Sequence, residues 1–237
     1  MLEKIYFELV SPLNKISPQS ISNLVVSFFN NHIHLDDYVY NFGKKVKLKN
    51  LNNYLQKKTI KYFSIESKNL TISLNPLDSH KISQIIIKFT SKNFKTAIEE
   101  VQVFINNLPL ISARLNNSEY EFWQNANDPL EYTTENKPYK HLKVRYDEML
   151  DYTFIDTSEN PGRRIIKVGY IEAVSPIMWI GDYFLNKESI KTSILNSYQH
   201  LFFKNICQIN LSNKWFKEKN MEDIKIQNNM RSLLFNN

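Results

Sequence analysis

Three of the chain's four glycines fall between Gly162 and Tyr183, in Gly-Arg-Arg-Ile-Ile-Lys-Val-Gly-Tyr-Ile-Glu-Ala-Val-Ser-Pro-Ile-Met-Trp-Ile-Gly-Asp-Tyr, a stretch that otherwise reads as buried sheet. A glycine inside or beside a strand marks a bulge, a bend or a close backbone approach, because only glycine escapes the Cβ clash there. The stretch therefore constrains the fold while offering no evident chemistry. Four glycines spread over 237 residues also cannot supply a Walker-type or dinucleotide-type phosphate loop.

Hydrophobic periodicity supplies the remaining elements. Lys4 to Val10 reads as a strand, and Ser17-Pro18 then caps and opens a helix running to about Asn30, with Ile21, Leu24, Val25, Phe28 and Phe29 on its core side. Short strands are expected around Tyr38 to Lys49, turning at Phe42-Gly43-Lys44-Lys45, and a short helix over Asn50 to Gln56. Thr59 to Glu66 and Leu70 to Leu74 look paired, Gln84 to Phe89 is a further strand, and Lys92 to Asn107 is a helix with Phe94, Ala97, Ile98, Val101, Phe104 and Ile105 on one side. A strand, a helix and a return strand thus occur twice, beginning at Lys4 and at Gln84.

Asn116 to Tyr139 mixes acids, amides, aromatics and two prolines with little period and is expected to be an ordered excursion. Leu142 to Tyr146, Tyr152 to Ile155 and Arg163 to Val174 would pair antiparallel, with Asn160-Pro161-Gly162 as a turn. Lys187 to Asn196 reads as helical, Tyr198 to Phe203 and Ile206 to Leu211 as final strands, and Met221 to Phe235 as a helix using Ile224, Met230, Leu233 and Leu234. The expectation is an α+β fold, a largely antiparallel sheet with helices packed on it, built from two loosely similar strand-helix-strand units. It is read as a single domain over 1–237, with a subdivision into 1–80 and 81–237 as the alternative.

The formal charge of +6 is unevenly spread. Lys44, Lys45, Lys47, Lys49, Lys57, Lys58 and Lys61 form a basic block, whereas Glu119, Glu121, Asp128, Glu131, Glu135, Asp147, Glu148, Asp151, Asp156 and Glu159 dominate a later stretch. Opposite fields in one molecule point to a protein partner or to internal pairing more than to a nucleic-acid groove. The richness in Asn, Lys and Ile resembles the bias of an AT-rich coding sequence, which discounts the basicity. One cysteine, Cys207, excludes an intramolecular disulfide and reads as a buried, inert thiol. Met1 to Val10 alternates like a strand and lacks the apolar run of a secretion signal. Glu172, Pro176 and Asp182 interrupt the most apolar region, so no membrane span is expected and a cytoplasmic location is.

Each catalytic pattern is incomplete. His32-Ile-His34-Leu-Asp36-Asp37 is similar to the His-x-His-x-Asp-His signature of metallo-β-lactamase-type hydrolases, but Asp37 stands where the last histidine belongs and the surrounding glycines are missing. A helix end followed by a turn accounts better for those residues. Asp147, Glu148 and Asp151, with Lys143 or Arg145, could in principle hold Mg²⁺, yet Glu172-Ala173-Val174 has valine where a restriction-type nuclease requires lysine. No serine sits in Gly-x-Ser-x-Gly, and Cys207 lacks an activating neighbour. No catalytic, cofactor-binding or metal residue is assigned, and the chain is read as a non-enzyme.

The segment Glu119 to Tyr132 offers interface material instead. Large anchors such as Trp and Tyr concentrate binding energy, and acidic rims speed encounter with a basic partner. Glu121, Trp123, Asp128, Glu131, Tyr132 and Glu135 are the candidate contacts, against the plainer reading in which Phe122 and Trp123 pack the segment onto the sheet. The N-terminal strand and helix, this aromatic-acidic middle, Val168-Gly169-Tyr170-Ile171-Glu172 and Met178-Trp179-Ile180-Gly181-Asp182-Tyr183-Phe184 together resemble bacterial immunity proteins of polymorphic toxin systems. The resemblance implies a cytoplasmic α+β protein that binds and inhibits a cognate toxin, with no catalytic residue or cofactor of its own. Net basicity departs from the acidic surfaces common in that group. Two alternatives stand beside it: a nucleic-acid-binding module using Lys44 to Lys61, and a metal-dependent hydrolase centred on His32, His34 and Asp36.

Overall fold

The structure is a computed structural model that describes residues 2–33, 37–187 and 198–235. Strand β1 (Glu3–Pro12) leads to helix α1 (Pro18–Asn30), strands β2 (Tyr38–Asn41) and β3 (Lys44–Lys47), and a short helix α2 (Leu51–Leu55). Next come β4 (Phe63–Glu66), β5 (Thr71–Leu77), β6 (Ile82–Ser91), α3 (Phe94–Asn107) and β7 (Ser112–Asn117). Helices α4 (Ser118–Asn125) and α5 (Pro129–Thr134) then precede two hairpins, β8 (Val144–Asp147) with β9 (Tyr152–Ile155) and β10 (Ile165–Lys167) with β11 (Tyr170–Glu172). The last elements are β12 (Ile177–Gly181), α6 (Asp182–Lys187), β13 (Gln199–Phe203), β14 (Ile206–Asn210) and α7 (Met221–Phe235).

Ten of the strands make one sheet in the order β13-β14-β12-β7-β1-β6-β5-β4-β2-β3, with every neighbouring pair antiparallel. The α+β, antiparallel expectation is met. Both strand-helix-strand units are crossovers, because β2 lies four places from β1 and β7 two places from β6, so each return strand runs parallel to the strand it started from. Since β1 lies between β6 and β7, residues 1–80 and 81–237 share this sheet.

Local chemistry fixes the element ends. Ser17 accepts a hydrogen bond from the Ser20 amide while Ser20 accepts from the Ser17 amide, a reciprocal cap on α1. Asn93 caps α3 through the Thr96 amide at 3.0 Å. The β2–β3 turn is tighter than expected: only Phe42 and Gly43 turn, both with positive φ, as a two-residue hairpin loop requires. Arg163 to Val174 is not one strand. Gly169, at φ 92°, reverses the chain between β10 and β11. At Gly181 the close approach is literal, since a Cβ there would stand 2.1 Å from the Leu110 carbonyl oxygen.

One face of the sheet is dry. Ile5, Phe7 and Leu9 of β1 pack with Val25, Phe28 and Phe29 of α1, with Leu51 and Leu55 of α2 and with Val101, Phe104 and Ile105 of α3. Phe7 sits edge-on to Trp179 with centroids 6.2 Å apart, and Phe28 to Phe104 at 5.3 Å. The other face is covered near β12 and β14 by α6 and α7, with Met178, Ile180, Cys207 and Ile209 against Phe184, Met230 and Leu234. The buried side of α7 is Asp223, Gln227, Met230, Arg231 and Leu234, so Ile224 and Leu233, expected to be core, are only half-buried. The helix expected over Lys187 to Asn196 lies outside the described residues beyond Lys187.

Candidate partner-binding face

Alternation along β1 sends Tyr6, Glu8 and Val10 to the second face, and the register places Glu8 opposite Arg114 of β7 and next to Gln84 of β6. The three form the hub of a buried charge network. Arg114 Nε donates to Glu8, while Nη1 and Nη2 fork onto the Glu121 carboxylate at 2.7 and 2.6 Å. Glu8 also accepts from Gln84 and from Arg164 Nε at 2.8 Å, and Glu121 from Asn125 at 2.9 Å and Asn116 at 3.3 Å. Burial alone would raise the Glu8 carboxyl, but Arg114 and Arg164 hold it below the ordinary range. Burial would likewise depress Arg114, yet Glu121 and Glu8 push it well above the ordinary value. Tyr6, whose ring lies 5.3 Å from the Arg114 guanidinium, is held protonated by burial and by the two glutamates.

This network fastens α4 to the sheet, and α4 in turn anchors the 162–164 segment and α7. The Gly162 amide donates to Gln124 at 2.8 Å, the Arg164 amide to Asn125 at 2.6 Å, and Tyr120 to Gln227 of α7 at 2.7 Å. A Cβ at Gly162 would meet the Gln124 side chain at 2.7 Å and the Tyr120 ring at 2.9 Å, so these side chains would have to shift.

The six candidate contacts fall in different places. Glu121 is buried in the fork with Arg114, and Tyr132 is fully buried, its hydroxyl donating to the Ala126 carbonyl at 2.9 Å and pushed up to about 12 by burial. Tyr132 has no surface to offer a partner and the Glu121 carboxylate is taken up by Arg114, which corrects the expectation of free contact residues for both. Their sequence neighbourhood is acidic and aromatic, but Glu121 neutralises an interior arginine and Tyr132 centres a small core of its own. Its ring lies 4.9 Å from Phe122, 5.6 Å from Trp123 and 5.8 Å from Tyr139. Phe122 and Trp123 therefore pack the excursion on itself. Trp123 is half-buried, with Nε1 donating to Glu119 at 2.8 Å. Asp128 caps α5 through the Leu130 amide at 2.8 Å and accepts from Tyr152 at 2.9 Å. Glu131 and Glu135 are exposed, one turn apart, on the wall of an open groove of about 460 Å³ between α4–α5 and the sheet, with Lys4, Lys88 and Lys137 among its other charges.

Sequence reasoning passed over the β8–β9 hairpin as an interface. Its turn holds Asp147, whose carboxylate accepts from the Met149 and Leu150 amides, and Asp151, which accepts from Tyr146. Those carboxylates thus shape a turn, and Lys143 is paired with Asp156 at 2.8 Å. Met149 is 93% exposed and Leu150 63%, with Val144, Tyr146 and Leu130 of α5 also in solvent. Adjacent Met-Leu within a short acidic turn was the available signal.

The remaining sites carry less. His32 stacks on Phe28 at 4.4 Å, shares a hydrogen bond with the Phe28 carbonyl at 2.7 Å and lies 3.9 Å from Glu100. His34 and Asp36 lie outside the described residues, and among the described residues no three His, Cys, Asp or Glu side chains gather as metal ligands. Cys207 is buried, and burial raises its thiol to about 11. Among the described residues no helix is long and apolar enough to cross a membrane.

No family model matches the chain, and no curated protein does. Among solved structures, the Pseudomonas aeruginosa T6SS protein PA0821 shares the fold. It aligns with a TM-score of 0.58 over 98% of this chain and 74% of its own, at 7% sequence identity. At that identity the likeness is one of architecture.

Proposed function

We propose that this chain is a cytoplasmic immunity protein, a non-enzymatic inhibitor that binds a cognate toxin through the acidic unit carried by α4, α5 and the β8–β9 hairpin. The observation that carries the reading is the hairpin tip, where Met149 and Leu150 stand in solvent next to Glu148 and Asp151. Large exposed apolar side chains in an acidic surround suit the centre and rim of a protein interface. Residues 118–160 hold ten acids against four lysines and arginines in a chain of net +6, so the acidity is local and favours a basic partner surface. A fold shared with a T6SS protein is compatible with a toxin-related role.

The test starts from affinity capture of the tagged chain. The recovered protein, expressed alone, should arrest growth, and co-expression of this chain should restore it. Met149→Glu with Leu150→Glu should abolish protection at unchanged thermal stability, and Glu131→Lys with Glu135→Lys should weaken binding while leaving folding intact. A captured protein without toxicity, or full protection by the hairpin variant, overturns the reading.

A further inference from the structure

The basic block was set aside by the partner reading, and the structure gives it a specific form. All of Lys44, Lys45, Lys47, Lys49, Lys57, Lys58 and Lys61 are exposed, and no acid occurs between Tyr38 and Ile65. Compositional bias toward lysine would not by itself empty that stretch of carboxylates. No ion pair among the described residues engages any of the seven.

Aromatic rings are set among these charges. Cross-strand register pairs Tyr38 with Lys47 and Tyr40 with Lys45, on the side of the hairpin opposite the buried Val39 and Val46. Lys45 Nζ lies 3.9 Å from the Tyr38 ring centroid and Lys47 Nζ 5.6 Å. At the turn, Phe42 meets Tyr62 edge-on at 5.7 Å. The four rings are between 41% and 62% exposed. Lysines on an edge strand commonly guard against stray strand pairing, which would account for Lys44, Lys45 and Lys47. It does not account for Lys57, Lys58 and Lys61, which lie off that strand, or for four rings held in water.

We propose that the β2–β3 hairpin and residues 57–62 form a binding surface for single-stranded nucleic acid. The lysines neutralise phosphates and Tyr38, Tyr40, Phe42 and Tyr62 offer faces on which unstacked bases lie. Stacking needs bases free of a duplex. Alternation of ring and cation across the two strands matches the alternation of base and phosphate along one strand, whereas insertion into a lipid surface calls for a continuous apolar patch. This surface is separate from the acidic unit and does not depend on the toxin reading.

The experiment is fluorescence anisotropy of the full chain with a labelled oligothymidylate of about 15 nucleotides, titrated over a range of salt. Saturable binding is expected, with log affinity falling linearly against log salt. Tyr38→Ala with Tyr40→Ala, which keeps every lysine, should weaken binding roughly tenfold or more at unchanged thermal stability. Lys45→Gln with Lys47→Gln should lower the salt slope by about one to two. A duplex of the same length should bind at least roughly tenfold more weakly. Absence of binding at about 50 mM salt overturns the proposal. So does equal affinity for duplex or heparin with the tyrosine variant unaffected, or tighter binding to phosphatidylserine vesicles than to the oligonucleotide.

Discussion

On the side of the sheet that meets α1, α2 and α3, β1 presents Ile5, Phe7 and Leu9; on the other side the same strand presents Tyr6, Glu8 and Val10. Both sets are buried. The first is held by dispersion and exclusion of water, which care little about orientation. In the second, Tyr6 and Glu8 gather at a guanidinium whose directional fork onto Glu121 orients α4, while Val10 packs with Ile82 and Ile111. Buried ion pairs add little net stability over apolar residues of the same shape, because desolvation offsets most of the attraction. The contrast therefore assigns the dry face to stability and the charged face to the position of the acidic unit.

The largest effect is expected at Arg114. Replacing it with Met takes the forked guanidinium from Glu121, leaves Glu8 with Arg164, and should cost about 3–5 kcal/mol in urea unfolding at neutral pH. Phe7→Ala, on the dry side, should cost about the same through its cavity. The two separate on acidification. Glu8 has a depressed folded-state pKa, so in the native protein its contribution is complete above the ordinary carboxylate value, about 4.3, and is lost as pH falls through the depressed one. Without Arg114 the desolvation of Glu8 is less fully offset and its carboxyl gains by protonation, so Arg114→Met should recover part of its deficit near pH 4 while Phe7→Ala should not. Equal deficits at both pH values would remove the electrostatic account.

Gly181→Ala should come next, at about 1–3 kcal/mol, since the new methyl meets backbone that cannot swing away. Arg231, on the charged face, should behave differently from Arg114. It is buried, and its Nη2 donates to the Arg163 carbonyl, but among the described residues Nε and Nη1 have no hydrogen-bond acceptor, and Glu172 is 3.5 Å from Nη1. Burial, with Arg163 nearby, depresses it to about 10. Glu172 would still have Lys167 at 3.4 Å, so Arg231→Met should be neutral or stabilising by about 1 kcal/mol, opposite in sign to Arg114→Met. The smallest effect belongs to Glu131→Lys with Glu135→Lys, expected within about 0.5 kcal/mol in thermal unfolding because both side chains are in water.

The dry face was legible because α1 and α3 carry a 3.6-residue stripe and β1 and β6 alternate or run apolar. Gly169 and Gly181 also met the reasons expected of them, a reversal and a backbone approach, whereas Gly162 is crowded by side chains. The charged face was not legible. A glutamate between Phe7 and Leu9 reads as a solvent position until α4 is known to lie over it, and Glu121 looks no different from Glu119 in a run of acids. Which acid turns inward depends on an arginine in another strand. The inward side of α7 was missed for the same reason, because Asp223, Gln227 and Arg231 are polar and face in. Charge pattern pointed to Glu131 and Glu135, which are exposed, but not to the hairpin tip, because exposure of Met149 and Leu150 is a property of the fold that apolar residue type alone does not announce.

The position of β1 has a consequence for how the chain is made. Its register partners lie far downstream, Ile5 against Phe89 on one edge and Asn117 on the other. During synthesis this largely apolar ribbon leaves the ribosome some 80 residues before β6 and further still before β7. Until they arrive, its two rows of amides and carbonyls have no native mates. Long-range pairing of this kind folds slowly and exposes sticky intermediates, so the nascent protein should lean on holding chaperones until β7 is out.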